Sequence, residues 1–410
     1  MSDVLKPRGA AEVEQTIQWA LAEGKALEVL GRGSKRAIGR AAQWDATLDL
    51  SGLSGVTLYE PAELVLSAKA GTPLAEIEAQ VAASKQELAF EPMDYGPLLG
   101  SASGAGTIGG ALAANLSGPR RIKAGAARDH FLGVSAVSGR GETFKAGGRV
   151  VKNVTGYDLC KLIAGSWGTL AAMVEVTVKT LPRAETEETV LALNLDVATA
   201  GKVMTAVMGS YVDASAAAHL PAPVAARVPE CASAGGAVTA FRLEGVAPSI
   251  AHRRGVLEAL AAPFASLATL GEAPSRALWR AIRDVAPFAA QGPAGQRYIW
   301  RISTAPARGP AAGRALSEQT EAEVMYDWAG GLIWAAVPAT DDARASLVRA
   351  TVAEEGGGGH ATLIRAPAAV RASVAVFEPE SAALAALTKR VRESFDPKGV
   401  LNAGRMWAGV

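Results

Sequence analysis

The chain has 410 residues, too many for one ordinary core, so two or three domains are expected. A formal charge of +1 argues against a nucleic-acid binder, and no apolar run reaches the ~18 residues of a membrane-spanning helix. The only two cysteines, Cys160 and Cys231, are too few for an iron–sulfur cluster, which takes about four; they read as small buried apolar groups.

The N-terminal segment lacks an apolar signal region, so a cytoplasmic protein is expected. Val13, Ile17, Ala20 and Leu21 give helical spacing over Ala11 to Ala22, stopped at Gly24. Leu27 to Leu30 reads as a short buried strand running into Gly31-Arg32-Gly33-Ser34-Lys35. Leu64 to Ala70 is strand-like, Thr72 is the expected N-cap, and Leu74 to Ala83 is helical. A glycine-rich strip follows from Gly104 to Leu132. In it Thr107-Ile108-Gly109-Gly110 opens a short helix through Leu116, Asn115 and Ser117-Gly118-Pro119 close it, and Arg120, Arg121, Lys123 and Arg128 follow. Val134 to Val137 and Glu142 to Phe144 form a hairpin, and Leu170 to Leu181 alternates as a half-buried strand. Pro182 and the acidic run Glu185 to Glu188 mark a boundary.

Beyond it, strand-like runs (Val190 to Leu195, Val238 to Leu243, Tyr298 to Ser303, Leu332 to Val337, Ala361 to Ile364) alternate with helical ones (Ala198 to Met208, Ile250 to Leu260, Arg276 to Asp284, Asp341 to Glu354). This suits an α+β domain with an antiparallel sheet. Tyr298, Trp300, Trp328 and Trp334 are expected at a subunit interface, with Arg297 and Arg301 on one strand face. A helix from Ala382 and the segment FDPKGVLNAGR end the chain.

Two glycine sites suggest anion binding. A strand ending in Gly31-Arg32-Gly33-Ser34-Lys35 can point several amides into one concavity, with Ser34, Lys35 and Arg32 adding side-chain bonds. The same residues also make a tight turn with solvated charges. At Thr107-Ile108-Gly109-Gly110, free N–H groups at the helix start suit a diphosphate, and the basic flank suggests an anionic ligand. Gly104, Gly106 and Gly109 match G-x-G-x-x-G, but no hydrophobic strand precedes them, so a Rossmann reading is weak.

The ordered set LGRGSK (30–35), TIGGALAANLSGPRR (107–121), ARDHFLGV (127–134), VKNVTGYDLCKLIAGSWGTLAAMVEVTVKTLP (151–182) and SFDPKGVLNAGR (394–405) resembles the PCMH-type FAD-binding fold of the vanillyl-alcohol-oxidase superfamily. The SGPRR run, the KNVxGYD segment and Gly358-Gly359-His360-Ala361-Thr362-Leu363-Ile364-Arg365 are similar to the family of glycolate oxidase E subunits. The resemblance implies an α+β architecture: a PCMH-type FAD-binding domain of two α/β subdomains (1–185), a smaller α/β cap (186–385) with an antiparallel sheet, and a C-terminal segment (386–410) returning to the FAD domain. By the same resemblance Gly31, Arg32, Gly33, Ser34 and Lys35 form the first pyrophosphate loop and Thr107, Gly109, Gly110, Asn115 and Gly118 the second. Gly165, Gly168, Thr169 and Val174 line the adenine and flavin edges, and Asn402 returns towards the flavin. The first loop has no His, so FAD is expected to be non-covalent. The family's C-terminal NPG is Asn402-Ala403-Gly404 here, without its turn-fixing proline.

The implied partners are a D-type flavoprotein subunit and an F-type iron–sulfur subunit, and the implied location is cytoplasmic or peripheral on the inner membrane through those partners. The implied reaction is 2-hydroxy acid to 2-oxo acid, which requires a base for the hydroxyl proton and a cationic clamp for the carboxylate. Self-sufficient D-2-hydroxy-acid dehydrogenases of that superfamily carry a GDGNxH-like motif with histidines that hold a divalent metal. This chain has four histidines and no such motif, so no metal is expected. His360 and Arg365 are candidate base and clamp; the alternative makes them a turn residue and a surface charge. A self-sufficient dehydrogenase and a scaffold with structural FAD are the alternative functions.

Overall fold

A computed structural model describes residues 3–149 and 156–408. The N-terminal part builds two sheets. In the first, parallel strands Asp3–Leu5, Ala46–Asp49 and Leu27–Leu30 lie in that order. The helix Ala10–Ala22 buries Val13, Ile17 and Ala20 against Leu27 and Leu48, as its spacing predicts. The C-terminal segment extends this sheet beside Leu27, whose N–H donates to Val400 O at 2.7 Å and whose carbonyl accepts from Asn402 N at 2.9 Å.

The second sheet is antiparallel, in the order Val56–Glu60, Val65–Lys69, Ala171–Lys179, Phe131–Ser138, Thr143–Gly147. Its last pair is the expected hairpin, with the first strand longer at both ends and the second shifted to Thr143–Gly147. Ala171–Lys179 is covered on both faces rather than half-buried. Ala172 and Val174 meet the parallel-sheet cluster, while Val176 and Val178 pack beneath the helices Leu74–Ala83 and Ile108–Ala113. Thr72 is not the N-cap of its helix, which begins after Pro73 without a side-chain cap. Instead the buried Thr72 hydroxyl donates to Lys69 O at 2.6 Å and accepts from Gly55 N at 3.0 Å, joining two loops.

The third sheet has eight antiparallel strands between Thr186 and Arg365. It consists of two βαββαβ units set edge to edge. The first runs Thr186–Leu193, Val197–Met208, Ala216–Leu220, Val238–Gly245, Ala247–Ala261 and Leu267–Leu270. The second runs Tyr298–Ser303, Gly309–Thr320, Glu323–Asp327, Leu332–Val337, Ala345–Glu354 and His360–Arg365. Each unit orders its strands 4-1-3-2, and the second strands of the two units meet at His219 and Tyr326. The helices of both units cover one sheet face. The other face packs on the N-terminal part through Ile38, Tyr95, Leu98 and Leu116.

The strand Thr186–Leu193 begins within the acidic run. Glu187 is buried because Ser275 Oγ donates to it at 2.8 Å and Arg276 lies 3.7 Å away. Of the four aromatic residues expected at an interface, three are core and Tyr298 is half-buried. Trp300, Trp328 and Trp334 are almost wholly buried, and the first two find carbonyl partners for their indole N–H groups. Both cysteines are free and buried, and burial pushes their thiols up to about 11 and about 12. Among the described residues no helix is long and apolar enough to cross a membrane.

Candidate functional site

The strand Leu27–Leu30 delivers the chain into a cleft between the two N-terminal sheets. The loop Gly31–Lys35 forms one wall, and Thr107, Gly109, Gly110 and Gly168 form another. Among the described residues, none of the five successive backbone N–H groups of Gly31–Lys35 finds an acceptor inside the protein. The turn is held from outside those amides, by Arg36 N on Gly33 O and Ile38 N on Lys35 O. Gly33 sits at φ +74°, the left-handed region that lets successive amides converge. Gly31 is required for a different reason, since a Cβ there would lie 2.7 Å from Thr107 Oγ1.

Lys35 Nζ donates to Ser34 Oγ at 3.0 Å and meets no carboxylate within 4.0 Å among the described residues. Burial and then Arg405 lower its pKa to about 8. Arg405 lines the same cleft, with its Nη2 on Lys35 O at 2.9 Å and its buried Nε without a partner. Burial lowers its pKa to about 10. Two desolvated cations beside five unpaired amides are an unfavourable arrangement until an anion enters. Arg405 was not singled out from the sequence. It stands 370 residues from Lys35, and only the C-terminal motif hints at it.

The helix start does not offer free amides. Ile108 N donates to Thr72 O at 3.0 Å, Gly109 N to Ala70 O at 2.9 Å, and Gly110 N to Thr107 Oγ1 at 3.2 Å. The helix spans only Ile108–Ala113, stitched to the neighbouring strand end. Its glycines act by close approach instead. A Cβ at Gly109 would lie 2.8 Å from Ala70 O, and one at Gly110 would lie 3.3 Å from Lys35 Nζ.

The basic flank also serves elsewhere. Arg120 pairs with Glu87, with Glu91 at 3.4 Å and with Glu244 at 2.8 Å. Arg121 lies over the Trp328 ring, Lys123 pairs with Asp213, and Arg128 Nε donates to Lys161 O. These contacts tie the strip to neighbouring segments, and none of the four residues lines the cleft.

Six further residues expected at the cofactor lie outside the cleft's lining. Asn115, at φ +49°, accepts from Arg128 N; Gly118 presses on Glu91 and its carbonyl accepts from Trp328 Nε1. Gly165 N donates to Leu112 O, the Thr169 hydroxyl donates to Ser166 O, and Val174 O accepts from Ala70 N. Buried Asn402 accepts from Val29 N at 2.8 Å and donates to Trp167 O at 2.8 Å, which fixes the Trp167-Gly168 wall. Of the motif at 151–158, residues 151–155 lie outside the described residues.

His360 is exposed at the start of its strand. Desolvation, then Arg301, lowers its pKa and favours the neutral ring. Arg365 does not act as a carboxylate clamp. Its guanidinium donates to Leu98 O, Phe288 O, Ala294 O and Arg297 O at 2.6–3.2 Å, which occupies all five N–H groups. His130 and His219 are buried and His252 is exposed. Among the described residues no group of three or more His, Cys, Asp or Glu is placed to hold a metal.

The sheets and the anion cradle define an FAD-binding protein of the PCMH type. Residues 2–147 match the family of FAD binding domains. The fold agrees with p-cresol methylhydroxylase (TM-score 0.73, 12% identity, 98% of this chain and 88% of that one). It also agrees with 4-ethylphenol oxidase from Gulosibacter chungangensis (TM-score 0.71, 13% identity, 99% and 89%). Glycolate oxidase subunit GlcE of Escherichia coli is 31% identical over 97% of both chains. Glycolate oxidase subunit GlcD of Bacillus subtilis is 44% identical over 22% of this chain and 20% of its own. The chain belongs to the GlcE family of FAD-dependent oxidoreductases.

Proposed function

We propose that this chain is the FAD-binding subunit of a multi-subunit glycolate oxidase that converts glycolate to glyoxylate. A D-type flavoprotein subunit and an F-type iron–sulfur subunit complete the assembly, which is cytoplasmic or peripheral on the inner membrane. The observation that carries the reading is the cradle of unpaired amides at Gly31–Lys35, in a chain that matches GlcE end to end. Residues 1–185 and 386–410 hold the cofactor and 186–385 form the cap. Bound FAD supplies a two-electron acceptor for the alcohol carbon of a 2-hydroxy acid.

The chain's own residues do the rest. Arg32, Gly33, Ser34 and Lys35 hold the diphosphate, Gly31 and Gly110 keep the approach open, and Gly168 flanks the ring system. The cofactor is held non-covalently, since the first loop has no His. His360, kept neutral, is the candidate acceptor for the hydroxyl proton. A second reading, in which this flavin is a relay or a structural group, is favoured by Arg365, whose donors are all engaged.

The test adds glycolate anaerobically to the purified chain and to the reconstituted assembly. Flavin bleaching only in the assembly is the expected outcome. Bleaching of the isolated chain would make it self-sufficient. No bleaching of this flavin in either sample would leave it a structural group.

A further inference from the structure

Away from the cleft walls, the sheet face that meets the N-terminal part carries an unexplained cluster of charge. In the strand Tyr298–Ser303, Ile299 packs into the shared core with Tyr95 and Leu98, and alternation places Arg301 on the same face. Arg301 stands opposite Trp334 on one neighbouring strand and Thr362 on the other, and Ser303 stands opposite His360. Its guanidinium lies 5.0 Å from the centre of the Trp328 ring, and that of Arg121 lies 4.4 Å from the same ring.

Neither guanidinium makes a hydrogen bond or has a carboxylate within 4.0 Å among the described residues. Burial lowers the pKa of Arg301, as does the like charge of Arg121. Asp327, on the strand next but one to that of Arg301, acts on it through charge without a salt bridge among the described residues. Its carboxylate accepts from Trp328 N at 2.7 Å, and burial pushes its pKa up to about 7. Tyr95, whose hydroxyl burial pushes up to about 12, lies close enough to Arg301 to feel its charge.

The segment that carries this ring is under strain. Trp328 and Ala329 occupy the left-handed region at φ +52° and +56°, which is unfavourable for residues other than glycine. The indole N–H donates to Gly118 O at 2.9 Å, anchoring it to the strip that also supplies Arg121. Arg301 is half-buried and Arg121 exposed, and the two cations share one indole with no salt-bridge partner among the described residues; a guanidinium fork there suits a carboxylate. Ala114 and Trp167, which line the cleft, pack against the same large core cluster to which Tyr95, Trp328 and Trp334 belong.

We propose that Arg301 and Arg121, which share the Trp328 ring, bind the carboxylate of a small hydroxy acid on the sheet face that meets the N-terminal part. The proposal rests on the hydroxy-acid reading above and assigns its clamp to Arg301 in place of Arg365.

The test measures thermal shift of the purified, FAD-loaded chain with glycolate, oxalate, inorganic phosphate and glycolamide. Glycolate and oxalate should raise Tm, and glycolamide, which lacks the carboxylate, should not. Arg301→Met should weaken the carboxylate response by about 10- to 100-fold while retaining FAD. Without carboxylate its Tm should stay close to that of the wild type, because Arg301 is half-buried and makes no salt bridge among the described residues. Arg301→Lys should restore only part of the response, since an ammonium lacks the fork.

An unchanged carboxylate response in Arg301→Met overturns the site. So does a lower Tm of that variant without ligand, which would make Arg301 structural. A stronger response to phosphate than to glycolate overturns the carboxylate assignment. The hydroxy-acid reading fails separately: an Arg301-dependent shift in a chain whose flavin never reduces in the assembly keeps the anion site and removes that reading.

Discussion

Lys35 shows how one residue can be legible as a type and not as a state. A lysine after Gly-Arg-Gly-Ser reads as a phosphate partner from spacing alone. Its burial, which lowers its pKa to about 8, comes from Arg405 and the walls of the cleft and needs the folded chain. The lowered value gives a pH prediction. An anion favours the charged lysine, so FAD binding draws a proton onto Lys35 once the pH exceeds ~8. Affinity is therefore full below pH ~8 and falls above it, by at most about tenfold per pH unit. In the apoprotein the sign reverses: the folded pKa lies below the unfolded 10.5, so stability rises as pH climbs from about 8 to about 10.5. Titration of apoprotein with FAD, followed by flavin fluorescence, should show the falling limb in the wild type. Lys35→Met should bind about 10- to 100-fold more weakly at neutral pH and lose that limb. A limb of unchanged slope in the variant would move the proton to another group.

At the scale of elements, local patterning carried most of the N-terminal part. The helix at Ala10–Ala22, the strand at Leu27–Leu30 and the helix at Leu74–Ala83 follow from apolar period and stop signals. Alternation misjudged Ala171–Lys179, because a strand between two packed layers buries its polar face as well. Ala216–Leu220 and Gly309–Thr320 carry weak signals, alanine in a strand and glycine in a helix, and tertiary packing overrides both. The doubling of the βαββαβ unit is a relation of strand order, which no periodicity displays. Site residues divide in the same way. Glycines that answer to a local turn were legible, while the partners of Arg120 and Arg365 depend on contacts over long sequence separations. Arg365 joins the edge strand His360–Arg365 to carbonyls at Leu98, Phe288, Ala294 and Arg297. Arg365→Met leaves those carbonyls unpaired and should cost about 3–5 kcal/mol in urea unfolding. It should leave glycolate affinity unchanged in the protein that remains folded. A lost glycolate response without lost stability would return Arg365 to the substrate.

For the whole molecule, the decisive contact is the ionic junction between the cofactor-binding part and the eight-stranded sheet. Glu91 accepts from Arg242 Nη1 at 2.8 Å, Arg242 Nη2 at 3.0 Å and Arg120 N at 2.8 Å. Arg120 belongs to the glycine strip, and Arg242 and Glu244 to the sheet strand Val238–Gly245, so three distant segments share one network. Burial alone would raise the pKa of Glu91, but Arg242 and Arg120 outweigh it and hold the carboxyl down to about 2. A folded pKa below the unfolded 4.5 contributes stability that is complete above about 4.5 and is lost as pH falls through about 2. The wild type should therefore loosen at this junction in acid, before its separate cores melt. Glu91→Gln removes the charge and leaves Arg242, which is only 2% exposed, with Glu244 at 3.6 Å as its remaining salt-bridge partner among the described residues. Breaking such a buried pair costs about 3–5 kcal/mol, whereas replacing both charges by apolar groups is often near neutral. Calorimetry at neutral pH should thus show Glu91→Gln with a lower first transition, separated from a second that resembles the wild type. Adding Arg242→Met should recover part of the loss, and the double-mutant cycle measures the coupling directly. In both variants the acid-dependent loss between pH about 4.5 and about 2 should shrink, because the titrating carboxylate is gone. A single unshifted transition in Glu91→Gln, with acid sensitivity intact, would mean that apolar packing through Tyr95, Leu98 and Leu116 joins the halves and the network is incidental.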